Sequence, residues 1–445
     1  MVSKNEVNDT NIELGPIPRS WKLTLLFEAC LNITDGKHGD CENQENSGYY
    51  FISCKDIYDK KINYERARQI TKMDFEETHK RTKLEANDVL LTNSGTIGRL
   101  AIARDNDLTQ KTTFQKSVAV LKPDKKVIFP EFLYYSLLAN KKRLIAVSGG
   151  TTQKNLLLKD IREFAILICD IDEQISISRI LSDLDSKIEL NQQMNKTLES
   201  IAQAIFKHWF INFEFPDENG QPYKSSGGEM VDSELGEIPK GWEVLTLGNL
   251  LSSIESGKRP KGGIDPDLKF GIPSIGAENI SGLGYYDYSK TKFVSFEYFE
   301  GMKQGIVKDK DVLLYKDGAQ IGRKTMFGCG FPFDKCCVNE HVFILRTNEK
   351  INQFFLFLWL NQDEVTRNIQ NLNSNSAQPG LNRDSIKTLQ VFVPHKDVLN
   401  NFEGVVSKLI GKIFLNSLNS RELSLIRDLL LPKLMSGKIR VPLEE

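Results

Sequence analysis

Leu14-Gly-Pro-Ile-Pro-Arg-Ser-Trp21 returns as Leu235-Gly-Glu-Ile-Pro-Lys-Gly-Trp242, an offset of 221 residues. Gly36-Lys37, followed by His38, matches Gly257-Lys258, followed by Arg259, at the same offset. Further on, Asp88-Val-Leu-Leu91 aligns with Asp311-Val-Leu-Leu314 and Gly95 with Gly318 at 223, and Ile97-Gly-Arg99 with Ile321-Gly-Arg323 at 224. Gln153, Leu156 and Ile161 then align with Gln378, Leu381 and Ile386 at 225. Matches that keep their order while the offset creeps upward are the trace of small loop insertions in a duplicated domain. The chain therefore contains one module twice. Copies that begin alike and then diverge are what one scaffold presenting two different surfaces leaves behind, which points to recognition and away from a single catalytic pocket.

Length and composition are compatible with this. A chain of 445 residues suits two to four domains, and 40% hydrophobic with 26% charged residues is ordinary for a soluble globular protein. The longest apolar run, Phe354-Phe-Leu-Phe-Leu-Trp-Leu360, is far short of a membrane span, and the first residues lack the apolar core of a signal peptide. A cytoplasmic protein is expected. Seven cysteines without a Cys-x-x-Cys pair fit reduced thiols, with Cys336-Cys337 as a buried strand pair, better than a disulfide framework or a zinc site.

The net charge of -1 hides an uneven distribution. Residues 14 to 150 carry 22 Lys+Arg against 17 Asp+Glu, residues 170 to 214 carry 4 against 8, and residues 235 to 380 balance at 17 each. The first module is basic, whereas the second would have to gather its cations on one face to bind a polyanion.

A long regular segment follows each module. From Asp172 to Trp209 there is no Pro or Gly, and Ile177, Leu181, Leu184, Ile188, Leu198, Ala202, Ile205 and Trp209 recur at spacings that suit a coiled-coil seam. Adding 225 gives Phe402, Val406, Leu409, Ile413, Leu423, Arg427, Leu430 and Leu434, the same seam with one polar departure. Each seam contains an asparagine at matching depth, Asn191 and Asn416. Seam asparagines fix register or orientation at some loss of stability. If the duplicated units are related by a pseudo-twofold axis, the helices run antiparallel and the two amides meet near it; the alternative is that both face water.

Between its opening motif and its long helix, each module reads as mixed α/β. Asp88–Thr92, Lys116–Leu121 and Glu163–Ile168 are expected strands, and Pro130–Ala139 an amphipathic helix entered by proline, with Asn352–Leu360 its counterpart. The expected organisation is a first recognition module over 1–165, a long helix over 166–212, an exposed Gly/Ser/Pro-containing linker over 213–234, a second module over 235–394, and a second long helix with tail over 395–445. The fold class is thus duplicated α/β (mixed α+β) modules, each followed by a long helix, the helices pairing as an antiparallel coiled coil with pseudo-twofold symmetry.

Two diverged modules opening with Leu-Gly-x-Ile-Pro-x-x-Trp, containing Asp-Val-Leu-Leu and Ile-Gly-Arg, and closing on a long helix resemble the specificity subunit of type I restriction-modification systems. Phe206-Lys-His-Trp-Phe210 and the final Leu425–Ile439 segment also fit that family. The resemblance covers almost the whole chain, in the family's order. It implies that each module is a target-recognition domain for one half of a bipartite double-stranded DNA site. It also implies that the paired helices are a spacer docking two methyltransferase subunits, with restriction/translocase subunits joining them. S-adenosylmethionine, ATP and Mg would then belong to those partners, with no cofactor bound by this chain. The same residues leave two other readings open: a specificity subunit of a related type II-like system, or a coiled-coil adaptor with two protein-binding modules and no DNA.

Missing motifs agree with a non-catalytic chain. There is no Pro-Pro for the Asn/Asp-Pro-Pro-aromatic motif of an amino-methyltransferase, and no Gly-x4-Gly-Lys-Ser/Thr. No metal-ligand spacing stands out. The candidate DNA contacts are cations and amides beside glycine. Lys37 and His38 match Lys258 and Arg259, with Lys261 nearby; Asn93, Ser94 and Arg99 match the Lys316 and Arg323 region; Gln153, with Lys154 next to it, matches Gln378. Since both copies keep the Ile-Gly-Arg arginine, phosphate clamping suits it better than base selection; ordinary turn roles compete at every one of these positions. Lys141-Lys142-Arg143 is read as a solvated helix end. Trp209, Phe210, Leu430 and Leu434 are assigned to methyltransferase docking, because the helix ends hold more apolar surface than one seam can bury.

Overall fold

The computed structural model describes residues 17–58, 60–149, 154–372 and 380–442. Two compact units result: one joins the stretch up to Ser186 with the stretch from Leu423 onward, and the other is Lys187–Glu422. The boundary falls inside both long helices. Each unit is therefore a module plus a part of each helix, a division different from the sequential domains expected at 165/166 and 394/395.

In the first unit the chain turns at Pro18, whose carbonyl accepts from the Trp21 amide at 2.9 Å, and enters the strand Lys22–Leu25. That strand pairs antiparallel with Ala165–Ile168, the strand just before the long helix, so the two ends of the module are tied together. The central sheet has the order Cys30–Asp35, Val118–Pro123, Val89–Thr92, Leu100–Ile102. Its inner strands are apolar on both faces. Val89, Leu91, Ala119 and Leu121 face a core with Phe132, Leu133 and Ile177, while Leu90, Val118 and Val120 pack on Ile52, Ile57 and Phe114. Period-two alternation between two covered faces explains these continuous apolar runs. A smaller sheet sets Tyr50–Ile52 between Arg68–Gln69, antiparallel, and Thr112–Phe114, parallel.

The second unit repeats this plan strand for strand. Pro239 accepts from the Trp242 amide at 3.1 Å, and Glu243–Thr246 pairs with Gln390–Val393. The central sheet runs Leu251–Ser256, Val342–Thr347, Val312–Tyr315, Lys324–Met326, and a small sheet sets Ile272–Ile275 between Lys292–Val294 and Cys337–Val338, antiparallel and parallel respectively. The expected helices are present at Pro130–Ala139 and Gln353–Leu360, the latter capped by Asn352. Both are buried almost all round, and among the described residues no helix is long and apolar enough to cross a membrane.

The repeated glycine before each Lys has a packing role. A Cβ on Gly36 would lie 1.9 Å from the Phe114 carbonyl oxygen, and one on Gly257 1.5 Å from that of Val338. Only glycine lets the end of the sheet's edge strand lie against the parallel strand of the small sheet.

The first long helix spans Ile171–Phe206, 36 residues or about 54 Å, and widens into a π-turn over Lys207–Ile211 instead of continuing regularly to Trp209. The second spans Lys396–Met435, 40 residues or about 60 Å. Within the second unit they lie side by side in opposite senses. Asn191 Nδ2 donates to the Asn416 carbonyl (3.4 Å) and Ser420 Oγ (3.2 Å). Asn416 Nδ2 donates to Asn195 Oδ1 (3.0 Å), and Asn195 Nδ2 to Ser417 Oγ (3.0 Å). Asn191 and Asn416 are both buried, and each amide is satisfied by the other helix through neighbours rather than by a direct amide pair. The polar departure at Arg427 also has a cause. In the first unit its guanidinium donates to Asp185 Oδ1 at 2.8 Å, while Tyr135 donates to Asp185 Oδ2 at 2.7 Å and Lys60 Nζ donates to the Tyr135 hydroxyl at 3.0 Å.

The 213–234 segment is exposed over most of its length and carries structure of its own: Met230–Ser233 pairs with Gly236–Pro239, and Phe215 is stacked between Tyr223 and Trp242, at centroid distances of 4.6 and 5.3 Å. The docking assignment fails for Phe210 and Leu434, whose side chains are core; Phe210 packs on Phe402 at 4.7 Å. Trp209 is half-buried, also against Phe402, and Leu430 is half-buried against the first unit's core. The module cores cover these helix ends: Phe210 also packs on Trp242 and Phe355, and Leu434 joins the first unit's core. Leu425, Ile426 and Leu429 are the exposed apolar residues of that helix end.

Candidate functional site

In each module the chain leaves the third strand of the central sheet into the Gly-containing turn that carries Ile-Gly-Arg. The two turns superpose in their hydrogen bonds. Gly98 N–H donates to the Thr92 carbonyl and Thr92 N–H to the Arg99 carbonyl, as Gly322 donates to Tyr315 and Tyr315 to Arg323. Asn93 N–H donates to the Ser117 carbonyl and Leu156 N–H to the Asn93 carbonyl; in the second module Lys316 N–H donates to His341 and Leu381 N–H to Lys316. Bridges between Ser94 and Asn155 and between Asp317 and Gly380 complete the correspondence. One backbone frame therefore holds two sets of side chains. Asn93 corresponds to Lys316, Ser94 to Asp317, Lys116 to Glu340 and His38 to Arg259.

In the first module this frame opens a cleft of 510 Å³ lined by Asp35, His38, Arg81, Asn93, Ser94 and Lys116, among others. Asp35, buried at its floor, accepts from His38 Nε2 at 2.9 Å and from Arg81. The Asn93 side chain is buried, with Nδ2 on the Leu156 carbonyl at 3.4 Å, and its Oδ1 has no partner among the described residues. Lys116 stands exposed at the rim. The second module replaces this set by a chain of charges. Lys316 Nζ donates to Asp317 Oδ2 at 2.8 Å, and His341 Nδ1 meets the same oxygen at 2.8 Å. Arg259 reaches His341 Nε2 at 2.9 Å and Glu340 Oε1 at 2.5 Å. His341 Nε2 also lies 3.1 Å from Glu340 Oε1, so the ring sits among Asp317, Glu340 and Arg259. Glu340 Oε2 is buried without a partner among the described residues. Donors and acceptors held this way can form paired bonds with a polar partner, and the first module's cleft and the second module's charged cluster would prefer different partners.

Other expected contacts are placed differently. Lys37 turns away from the cleft and bonds Asp74 at 3.1 Å, with Glu77 at 3.5 Å. The bond to Asp74 raises the Lys37 pKa, and the Glu42 backbone N–H, followed by Lys37, lowers that of Asp74. Lys37 is thus a structural ion pair rather than a free cation. Arg99 donates through Nη1 to the Cys54 carbonyl at 3.1 Å, whereas Arg323 is exposed, so the shared arginine does not do the same work in both copies. Lys154, Lys258 and Lys261 are exposed; Gln153 and Gln378 lie outside the described residues. Arg143 is not a purely solvated helix end, since its guanidinium lies over the Phe164 ring at 4.8 Å. Sequence reading missed Asp35, Arg81, Lys116, Glu340 and His341, and included Asp317 only as part of the Lys316–Arg323 segment. The fold alone brings Arg81 to Asp35.

Comparison with known proteins agrees with this duplicated frame. The family described as type I restriction modification DNA specificity domain matches residues 31–200 and 239–417. The chain is 27% identical to the type I restriction enzyme MjaIX specificity subunit of Methanocaldococcus jannaschii, over 98% of this chain and 97% of that one. It is 28% identical to the HindI specificity subunit of Haemophilus influenzae, over 75% and 83%. In fold it is similar to the crystal structure of a type I restriction-modification S subunit from M. genitalium, with a TM-score of 0.55 at 15% identity, covering 96% of this chain and 97% of that one. With one backbone frame built twice, unlike polar side chains set on it and a family match across both copies, the chain belongs to the type I restriction-modification DNA specificity family.

Proposed function

We propose that this chain is the DNA-reading, non-catalytic subunit of a type I restriction-modification complex, each module binding one half of a bipartite duplex site through the cleft beside its Ile-Gly-Arg turn. The observation that carries this reading is the paired frame with unlike side chains. A duplicated catalytic site would keep its reacting groups in both copies, whereas two readers of two half-sites must differ where they touch bases. His38, Asn93, Ser94 and Lys116 are the first module's candidate contacts; Arg259, Lys316, Asp317, Glu340 and His341 are the second's. Lys154, Lys258, Lys261 and Arg323 serve phosphates, and Gln153 and Gln378, outside the described residues, remain candidates by their matching positions in the sequence. Base contacts of about 1–3 kcal/mol each supply discrimination, while phosphate neutralisation supplies affinity that falls steeply with salt.

In this reading the antiparallel helices act as a coiled-coil spacer and dock two methyltransferase subunits, with restriction/translocase subunits outside them. Leu425, Ile426 and Leu429 are the docking residues in place of Phe210 and Leu434. S-adenosylmethionine, ATP and Mg act in those partners. Single-molecule methylome sequencing of a host carrying this chain with its methyltransferase tests the proposal. A split motif that disappears when the chain is deleted is the expected result, and an unchanged methylome defeats it.

A further inference from the structure

The segment between the edge strand and the small sheet differs most in character between the two modules. In the first, residues 37–49 carry one Lys against three Asp/Glu and are folded onto the body: Cys41 is buried, Asp74 accepts from the Glu42 amide, and Arg68 holds Asp40, Asn43 and the Cys41 carbonyl. In the second, residues 258–270 carry Lys258, Arg259, Lys261 and Lys269 against Asp265 and Asp267. Its ends are pinned by close packing. A Cβ on Gly257 would strike the Val338 carbonyl, and one on Gly271, at φ +146°, would lie 2.2 Å from the Val294 carbonyl oxygen. Beyond its anchored base, hydrogen bonds run within the loop, as from Gly263 N–H to the Pro260 carbonyl and from Lys269 Nζ to the Pro266 carbonyl. At its C-terminal foot, immediately before the pinned Gly271, Phe270 is 84% exposed, next to Lys269.

A phenyl ring so exposed beside a lysine, in a loop that carries further lysines, is the combination that proteins use to place an apolar side chain against stacked bases while cations hold the flanking phosphates. The loop base borders a cleft of 820 Å³ lined by Lys258, Pro260, Tyr298, Met302 and Lys303, among others, and the Tyr298 hydroxyl donates to the Lys258 carbonyl at 2.8 Å, bracing it. Resting on the DNA-reading function proposed above, we infer that loop 258–270 is a finger of the second module that engages duplex DNA. Phe270 stacks on a base step at or beside the second half-site, and Lys258, Lys261 and Lys269 neutralise phosphates around it. The first module has no such finger, so the two half-sites are held by different means.

The test uses the chain assembled with its methyltransferase, and duplexes carrying the methylome-defined site with 2-aminopurine placed singly through and beside the second half-site. Wild type is expected to change the fluorescence at one step. Phe270→Ala should abolish that change and weaken binding about tenfold, Phe270→Trp should keep both, and Lys258/Lys261/Lys269→Gln should flatten the salt dependence of binding equally on cognate and non-cognate DNA. Phe270 is a surface residue, and unchanged melting of the variants serves as the folding control. If wild type binds the site while Phe270→Ala matches it in affinity and fluorescence, the finger is refuted and DNA reading stands. If Phe270→Ala instead weakens assembly with the methyltransferase, Phe270 is a protein contact and the inference also fails. If wild type shows no preference for the site, the DNA reading itself falls.

Discussion

Gly36 and Gly257 illustrate how a repeated residue type can be misassigned from its neighbours. A glycine before a lysine invites a phosphate-loop reading, but in both copies the absent side chain makes room for a backbone carbonyl. Gly36→Ala and Gly257→Ala should each destabilise the unit that contains it by about 3 kcal/mol, because the obstacle is backbone and cannot rotate away. Urea melts showing wild-type midpoints would disprove the packing role. Lys324 gives a second residue-scale prediction. Its Nζ is buried, bonded to Thr366 Oγ1 at 2.7 Å and to the Leu360 carbonyl, and burial pulls its pKa from 10.5 down to about 8. Between about pH 8 and 10.5 the unfolded chain therefore holds more protons at this site than the folded one, so the contribution of Lys324 to stability rises with pH in that window. The melting temperature of Lys324→Met minus that of wild type should fall from pH 8 to 10; a flat difference would contradict the burial argument.

At the scale of elements, the long helices use two chemistries along one seam. Where the first unit joins Asp185 to Arg427, Tyr135 and Lys60, the positions displaced by 225 residues are Ile410 and Ala202, both buried and apolar. Desolvation lowers the Lys60 pKa while the Asp185 charge opposes it, so removing the carboxylate alone leaves two cations in a partly buried site. Asp185→Ile should cost about 3 kcal/mol, and Lys60→Met/Asp185→Ile/Arg427→Ala should regain most of it, since a polar cluster replaced as a whole leaves no orphaned charge. Thermal melts of the single and triple variants decide this; a triple variant as unstable as the single would mean that the cluster adds net stability beyond charge compensation. Periodicity located this seam and its polar interruption, but the reason for the interruption lies in Lys60 and Tyr135, more than 40 residues away in sequence from Asp185. The same limit applies to Phe210 and Leu434: apolar helix ends look like free surface until the chain that covers them is known.

At the scale of the whole molecule, the spacer role proposed above makes the gap between half-sites a matter of helix length, since the division between the two units falls inside both long helices. Inserting four residues after Ser186 and four after Glu422, where the units divide, should lengthen the spacer by about 6 Å, or roughly two base pairs of rise. Methylome sequencing that returned the original gap would end the ruler interpretation. The sequence by itself determined that a module was built twice, that each copy leads into a long helix, and where most strands lie, because these follow from local periodicity and from ordered matches along the chain. It also marked His38, Asn93, Arg259 and Lys316 as positions of interest. The tertiary structure decided the rest: that Lys37 is held by Asp74, that Arg99 and Arg323 do different work, and that Asp35 with Arg81 completes the first module's cleft while Asp317, Glu340 and His341 form the second module's charged cluster. Helix and strand periods are properties of neighbouring residues. A cleft is assembled from strand ends and loops far apart in sequence, and which charge meets which is set by sheet order and register, which no local pattern encodes.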